Sequence, residues 1–195
     1  MTKALIRIFD FLFSIIAFII FLPLFIVVVL AIIAEDFGPA FFTQLRIGKD
    51  EKKFKVVKFR TMHHGAEKLE KEMFDRSGKV NLQMENDPRV TGVGKFLRKH
   101  SLDELPQILN VIVGQMSLVG PRPLVPLEVE LFSKKERERF KITPGITGLA
   151  QLYARRESNK KVIKYDIIWV RNYSLYNYFA ILFKTLPKFF RSDGV

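Results

Sequence analysis

Polar and apolar positions are distributed very unevenly along the chain. No charged side chain occurs in residues 11–34, where Ser14 is the one clearly polar position. As a helix rising 1.5 Å per residue, a run of about 24 residues reaches about 36 Å, enough to cross a bilayer. The run exceeds the apolar region of a signal peptide, and it leads into Glu35, Asp36, Phe37 and Gly38 without a small-residue cleavage site. Pro23 lies at its middle, where it removes one helical hydrogen bond and crowds the preceding turn. Each resulting arm has about 11 or 12 residues and is about 17 Å long, short of a hydrocarbon core of about 30 Å. Lys3 and Arg7 precede the run, and Arg46, Lys49, Lys52 and Lys53 follow it. Basic residues on both flanks predict that both ends are cytoplasmic. A re-entrant segment broken at Pro23 and a spanning helix with a mild proline kink both satisfy these features.

Beyond the apolar run, residues 54–59 predict a short strand and residues 67–74 a short charged helix. Asn86-Asp87-Pro88 marks a turn, and Thr91-Gly92-Val93-Gly94 reads as another. A helix is predicted over residues 101–113, with Ser101 and Glu104 at capping-box spacing, followed by a rigid loop at Gly120-Pro121-Arg122-Pro123. A charged helix over residues 128–140 precedes a turn-rich loop at Thr143-Pro144-Gly145-Ile146-Thr147-Gly148. Residues 173–191 mix Tyr176, Tyr178, Phe179, Phe183, Phe189 and Phe190 with Lys184, Lys188 and Arg191. That mixture suits a helix lying among lipid headgroups, and an amphipathic core helix shares the pattern. The fold class expected is α/β, mostly helical, with short strands and no internal repeat.

With 195 residues, the chain has room for one ordinary core. Its formal charge of +12 calls for an anionic partner, a demand met by nucleic acid, acidic lipid or a phosphorylated small molecule. The absence of cysteine excludes disulfides, thiolate metal sites and cysteine nucleophiles. The chemistry must come from oxygen and nitrogen groups, with or without a hard metal ion.

The candidate chemistry centres on Ser101-Leu102-Asp103-Glu104-Leu105-Pro106-Gln107. Two carboxylates in a first helical turn would be kept ionised by unpaired N–H groups and the helix dipole, which also attract phosphate. Acidic residues in a first turn are also ordinary helix-start signals. Arg122 sits between two prolines that restrict its backbone, which presets its guanidinium for two-donor phosphate binding. Lys58, Arg60, Arg89 and Arg98 are further candidate phosphate contacts, with Lys95 and Lys99 adding to the positive charge around the carboxylate pair. His63, His64 and His100 lack zinc-motif spacing, and no GxxxxGK[ST] phosphate loop is present.

The chain resembles the small monotopic phosphoglycosyl transferases, bacterial sugar transferases acting on polyprenyl phosphate. The resemblance runs in order through Arg46-Ile47-Gly48-Lys49, Lys58-Phe59-Arg60-Thr61-Met62, Asp87-Pro88-Arg89-Val90-Thr91, Ser101 to Gln107, Met116 to Pro123, and Pro144-Gly145-Ile146-Thr147-Gly148-Leu149-Ala150-Gln151. It implies a re-entrant helix in the bacterial inner membrane over residues 1–36 and a cytoplasmic catalytic domain over residues 37–195, with interfacial helices at its end. Asp103 matches the family's nucleophile, Glu104 its dyad partner and Arg122 its phosphate-binding arginine. The implied reaction has two steps. Asp103 attacks the β-phosphorus of a UDP-sugar, releasing UMP and forming an aspartyl-phosphosugar, which polyprenyl (undecaprenyl) phosphate then attacks. The implied cofactor is Mg2+, with Asp103 as a candidate ligand, and nucleic acid is not an expected partner. Two positions depart from the family pattern: Leu22 stands before Pro23 where serine is frequent, and Asn177 stands where aspartate is common. Composition and anchor alone fit equally a membrane-tethered module that binds anionic lipid or nucleic acid without catalysis.

Overall fold

A computed structural model describes residues 1–66, 87–130, 132–154 and 157–190, which are mostly helical with two small sheets. The apolar run lies within one helix, α1 (Thr2–Asp36), which continues through Pro23. It ends where Phe37 enters the left-handed region at φ 53° and donates its N–H to Ile33 O at 2.8 Å. Ile6, Asp10 and Ser14 are buried at four-residue spacing, and Phe25, Val28 and Ile32 at three- and four-residue spacing further along, while Ile16, Ile19, Ile20, Ile26, Val27 and Leu30 are exposed. Among the described residues, α1 is the one helix long and apolar enough to cross a membrane.

The chain forms two units. The first comprises Met1–Phe21, Thr43–Val57 and Pro106–Ser192. Its main core joins Ile6, Val119, Ile142, Leu152, Trp169, Tyr178 and Ile181. All but Ile142 come from α1, from the strand β3 (Ser117–Val119), and from the helices α5 (Leu149–Tyr153), α6 (Asn159–Arg171) and α7 (Leu175–Phe190). Asp10, 3% exposed, draws three of these elements together. Its carboxylate accepts from Ser117 Oγ at 3.0 Å, Leu118 N at 2.9 Å and the Tyr178 hydroxyl at 2.7 Å. A smaller core packs Phe54 and Val56 against Val111 and Met116. Here Asn110 substitutes for a strand partner: its Oδ1 accepts from Val57 N at 3.0 Å and its Nδ2 donates to Lys55 O at 2.8 Å.

The strand β4 (Gly145–Thr147) lies parallel to β3, with Ser117 opposite Gly145 and Val119 opposite Thr147. The turn-rich loop expected at residues 143–148 thus contains a strand. Just past β3, Gly120 approaches Gly145 so closely that a Cβ on Gly145 would lie 2.0 Å from Gly120 N.

The second unit includes Leu22–Phe42 and Lys58–Leu105. Phe59 packs against Phe25 and Phe41, with ring centroids 5.1 and 5.5 Å away. Two consecutive carboxylates fix the end of α1. Glu35 accepts from Gly92 N at 2.7 Å and Val93 N at 3.2 Å, at the start of the helix α2 (Gly92–Lys99). Asp36 accepts from both terminal nitrogens of Arg60 and from His64 N at 2.9 Å. Two strands, β1 (Phe41–Ile47) and β2 (Lys53–Phe59), pair as a hairpin closed by Gly48 N donating to Lys52 O at 2.8 Å.

Three sequence expectations need correction. The helix expected over residues 101–113 is a 3-10 turn, Leu102–Glu104, followed by a separate short helix α3 (Gln107–Ile112). Ser101 takes a left-handed φ of 54° and caps nothing, Glu104 bonds Lys58 instead, and Pro106 has no N–H with which to continue the first turn. The charged helix over residues 128–140 is divided between α4 (Pro126–Glu130) and a 3-10 stretch, Glu136–Lys141. Ser133 restarts the chain there, its N–H and hydroxyl both donating to the Glu136 carboxylate at 2.8 and 2.7 Å. The Thr91–Gly94 stretch starts a helix, because Thr91 Oγ1 accepts from Gly94 N at 2.8 Å. The expected helix over residues 67–74, and Asn86 of the expected turn, lie outside the described residues.

The contact at Gly145 leads to a stability prediction. Gly145→Ala should force β3 and β4 apart and destabilise the protein by about 1–3 kcal/mol, the usual scale of overpacking. A thermal midpoint in detergent equal to that of the wild type would show that the two loops separate without cost.

Candidate active site

β2, α2 and the 3-10 turn that follows α2 each bring charge to one place in the second unit. Lys58 near the end of β2 donates to Glu104 Oε1 at 2.6 Å. Arg98 near the end of α2 is oriented by Thr61, its Nε donating to Thr61 Oγ1 at 2.9 Å. Asp103 and Glu104 occupy the turn itself, both half-buried. The left-handed backbone of Ser101, costly for a residue with a Cβ, sets the direction in which this turn leaves α2.

Burial raises the Asp103 carboxyl above the 3.8 of an ordinary aspartate, and the neighbouring Glu104 charge raises it further. Lys58 and Arg98 oppose both effects. The helix-terminus expectation had the opposite sign. A one-turn 3-10 segment has little dipole to offer, so side-chain cations do the work expected of the helix end. Lys58 and Arg98 act on Asp103 through charge, while their hydrogen bonds go to Glu104 and Thr61.

Arg60 and Arg89, two of the candidate phosphate contacts, are each held in an ion pair. Arg60 is buried against Asp36, and Arg89 is buried against Asp87, donating from Nε at 2.9 Å and from Nη2 at 2.6 Å. The Arg89 guanidinium holds the Asp87 carboxyl below the usual aspartate range. Both pairs brace the backbone that carries Thr61 and Thr91. The two-residue spacing of Asp87 and Arg89 signals the second pair, whereas the first depends on residues 24 positions apart.

Arg122 belongs to the first unit, where its exposed side chain stands between buried Pro121 and Pro123. Every carbonyl of this tripeptide is held by a donor. Gly145 N donates to Pro121 O at 2.9 Å, Arg139 Nη2 to Arg122 O at 2.8 Å and Arg46 Nη1 to Pro123 O at 3.4 Å. Asn177 serves locally at the start of α7. Its Nδ2 donates to Asn172 O at 2.7 Å, and its backbone N donates to Ser174 Oγ at 3.2 Å.

Among the described residues, no group of three or more His, Asp or Glu side chains is gathered as a metal cage. Asp103 and Glu104 offer hard oxygen donors of the kind magnesium accepts when substrate phosphates complete its shell.

Comparison with known proteins gives a consistent picture. The family model described as bacterial sugar transferase matches residues 1–192. The exopolysaccharide production protein ExoY of Rhizobium meliloti is 40% identical over 96% of this chain and 86% of its own length. The undecaprenyl-phosphate galactose phosphotransferase of Salmonella typhimurium is 39% identical over 96% of this chain, which spans 41% of that longer protein. The UDP-glucose:undecaprenyl-phosphate glucose-1-phosphate transferase of Klebsiella pneumoniae is 39% identical over 94% of this chain and 40% of its own length. A dyad flanked by cations, a proline-framed arginine and similarity along nearly the whole chain agree, and the protein belongs to the bacterial sugar transferase family.

Proposed function

We propose that this protein transfers a phosphosugar from a UDP-sugar to undecaprenyl phosphate and so starts the assembly of a lipid-linked glycan. The observation carrying the proposal is the half-buried Asp103, held between the Glu104 charge and the cations Lys58 and Arg98. A carboxylate whose ionised form is disfavoured is a more basic nucleophile than a solvated one, yet the two cations keep that form accessible.

In the first step, an Asp103 carboxylate oxygen forms a bond to the β-phosphorus while the bond from that phosphorus to the bridging oxygen breaks, and UMP departs. In the second, a phosphate oxygen of undecaprenyl phosphate attacks the aspartyl-phosphosugar and expels the Asp103 carboxylate, giving a sugar diphosphate lipid. Lys58 fixes the Glu104 carboxylate beside the nucleophile. Lys58 and Arg98 supply positive charge for substrate oxygens, and Arg122 contributes a two-donor phosphate contact. Magnesium bound by Asp103 and diphosphate oxygens would screen the diphosphate charge and stabilise the leaving group.

We further propose that α1 is re-entrant and that α7 lies at the bacterial inner-membrane surface on the cytoplasmic side. Pro23 at the middle of α1 and the basic residues on both of its flanks support this reading. Near its start, Arg7 donates to Val111 O and Ile112 O at 2.5 and 2.6 Å, and at its end Glu35 and Asp36 are bound as described above. The exposed Tyr176 and Phe183 of α7 suit a headgroup environment.

Three outcomes are expected. With undecaprenyl phosphate withheld, the correct UDP-sugar and magnesium should leave an adduct of one phosphosugar on Asp103, located by peptide mass spectrometry, and release UMP. Asp103→Asn should abolish both. An adduct on Glu104 would reverse the two roles, and a binding module without catalysis would release no UMP at all. Asp103→Asn should also fold normally. With the carboxyl raised in the folded state, the stability it contributes is present below the unfolded value of 3.8 and lost as pH rises through the folded value, so at neutral pH the asparagine removes an unfavourable charge.

The second outcome concerns pH. Lys58 opposes the upward shift of Asp103, so Lys58→Met should move the acid limb of kcat/KM to higher pH, and Glu104→Gln should move it lower. Coincident limbs in the two variants would mean that Asp103 does not govern the profile.

The third concerns topology. Single cysteines at Thr2 and at Ser192 of this cysteine-free chain should both resist an impermeant thiol reagent applied outside intact cells. Labelling at Thr2→Cys alone would establish a spanning α1.

A further inference from the structure

We infer that the buried pair of Arg139 and Asp166 is a positioning device for Arg122, clamping its backbone so that the guanidinium meets substrate phosphate in one orientation. The inference rests on the phosphate-binding role proposed for Arg122. Arg139 and Asp166 are each 1% exposed. One nitrogen, Arg139 Nη2, donates to Asp166 Oδ2 at 2.6 Å and to the carbonyl oxygen of Arg122 at 2.8 Å. The guanidinium is flanked by the rings of Phe140 and Phe132, with centroids 5.5 and 5.9 Å from its carbon. Uncharged side chains of similar shape would fill this space as well.

That economy is the reason to assign a role beyond packing. Removing two ions from water is costly, and replacing such a pair by apolar side chains of similar volume is often neutral or stabilising. The cost is visible at Asp166, where burial pushes the carboxyl up to about 6 against the opposing charge of Arg139. The loop needs outside support because Pro121 and Pro123 have no N–H with which to join a ladder. Gly145 and Arg46 secure the prolines, and Arg139 secures Arg122 itself. Asp166, on α6, fixes the guanidinium so that its shared nitrogen points at that carbonyl. The loop carrying the exposed Arg122 is thereby tied to a helix more than 40 positions away in the sequence.

The test is a double-mutant cycle on the full-length protein in detergent or lipid, read by UMP release and thermal midpoint. Arg139→Met combined with Asp166→Leu should keep or raise the midpoint while lowering kcat/KM by about tenfold or more, the scale of a loosened charge-assisted contact. Introduced into Arg122→Ala, the same pair should cause no further loss, because the group it positions is gone. Asp166→Asn retains shape and provides a second, milder entry to the cycle should the double substitution not fold. Wild-type activity in a folded double variant would overturn the inference. An equal fractional loss with and without Arg122 would also overturn it, since the pair would then act on the fold in general. Full activity in Arg122→Ala alone would remove the role of Arg122, and this inference with it.

Discussion

A carboxylate withdrawn from water must be met by donors or by positive charge, and this requirement organises both units of the protein. Asp10 is met by a hydroxyl, a backbone N–H and a phenol, and in meeting it α1, β3 and α7 are joined. Asp36 is met by Arg60 and the N–H of His64, which fastens the end of α1. Asp87 is met by Arg89, and Asp166 by Arg139. Asp103 is the exception among these aspartates. Its nearest compensation is the charge of Lys58 and Arg98, and a like charge sits beside it. Burial raises Asp166 as well, so a raised carboxyl does not by itself mark a reactive group; Asp103 differs in that the like charge of Glu104 adds to the effect of burial and, among the described residues, no charged partner is paired to it directly.

The placement of backbone at the loops follows from a second constraint, the absence of side-chain volume. Gly120 and Gly145 come within a distance that no Cβ tolerates, so β3 and β4 pair in parallel over only three residues each and then diverge. Around that contact the Pro121-Arg122-Pro123 loop is fixed by its carbonyls, since its prolines have no N–H to offer. Rigidity there comes from outside donors, and only one of them, Gly145 N, belongs to the neighbouring strand.

The sequence made some of this legible and concealed the rest for identifiable reasons. Residues 54–59, whose local preferences agree with their surroundings, form the expected strand, and the apolar run forms one helix. The Asp103-Glu104 pair and Arg122 stand out because of their local context, a turn and a proline loop. The ion-pair partners of Arg60 and Arg89 did not, since basic residues in a motif look alike until their partners are known, and Asp36 is distant in sequence. The strand β1 and the helix α6 were not foreseen. The first has only a hairpin partner to mark it, and the second carries its polar Asp166 at a fully buried position, contrary to the amphipathic pattern. Pro106 was a visible signal against a continuous helix over residues 101–113, and the capping-box spacing of Ser101 and Glu104 obscured it.

The failure of that capping box changes the electrostatics of the site. Had Ser101 capped a long helix, Glu104 would have been occupied in the box and the dipole would have held both carboxylates ionised. Instead Ser101 adopts a strained left-handed conformation, the turn closes after three residues, and Glu104 is released to Lys58. Control of the carboxylate pair passes from fixed backbone dipoles to two side-chain cations, Lys58 bonded to Glu104 and Arg98 bonded to Thr61. A phosphate approaching Lys58 and Arg98 competes with the carboxylates for the same charge, and whatever it withdraws from Asp103 makes that carboxylate more basic. In the mechanism proposed, substrate binding and nucleophile activation would therefore be coupled through these two residues, an arrangement that a conventional helix start would not permit.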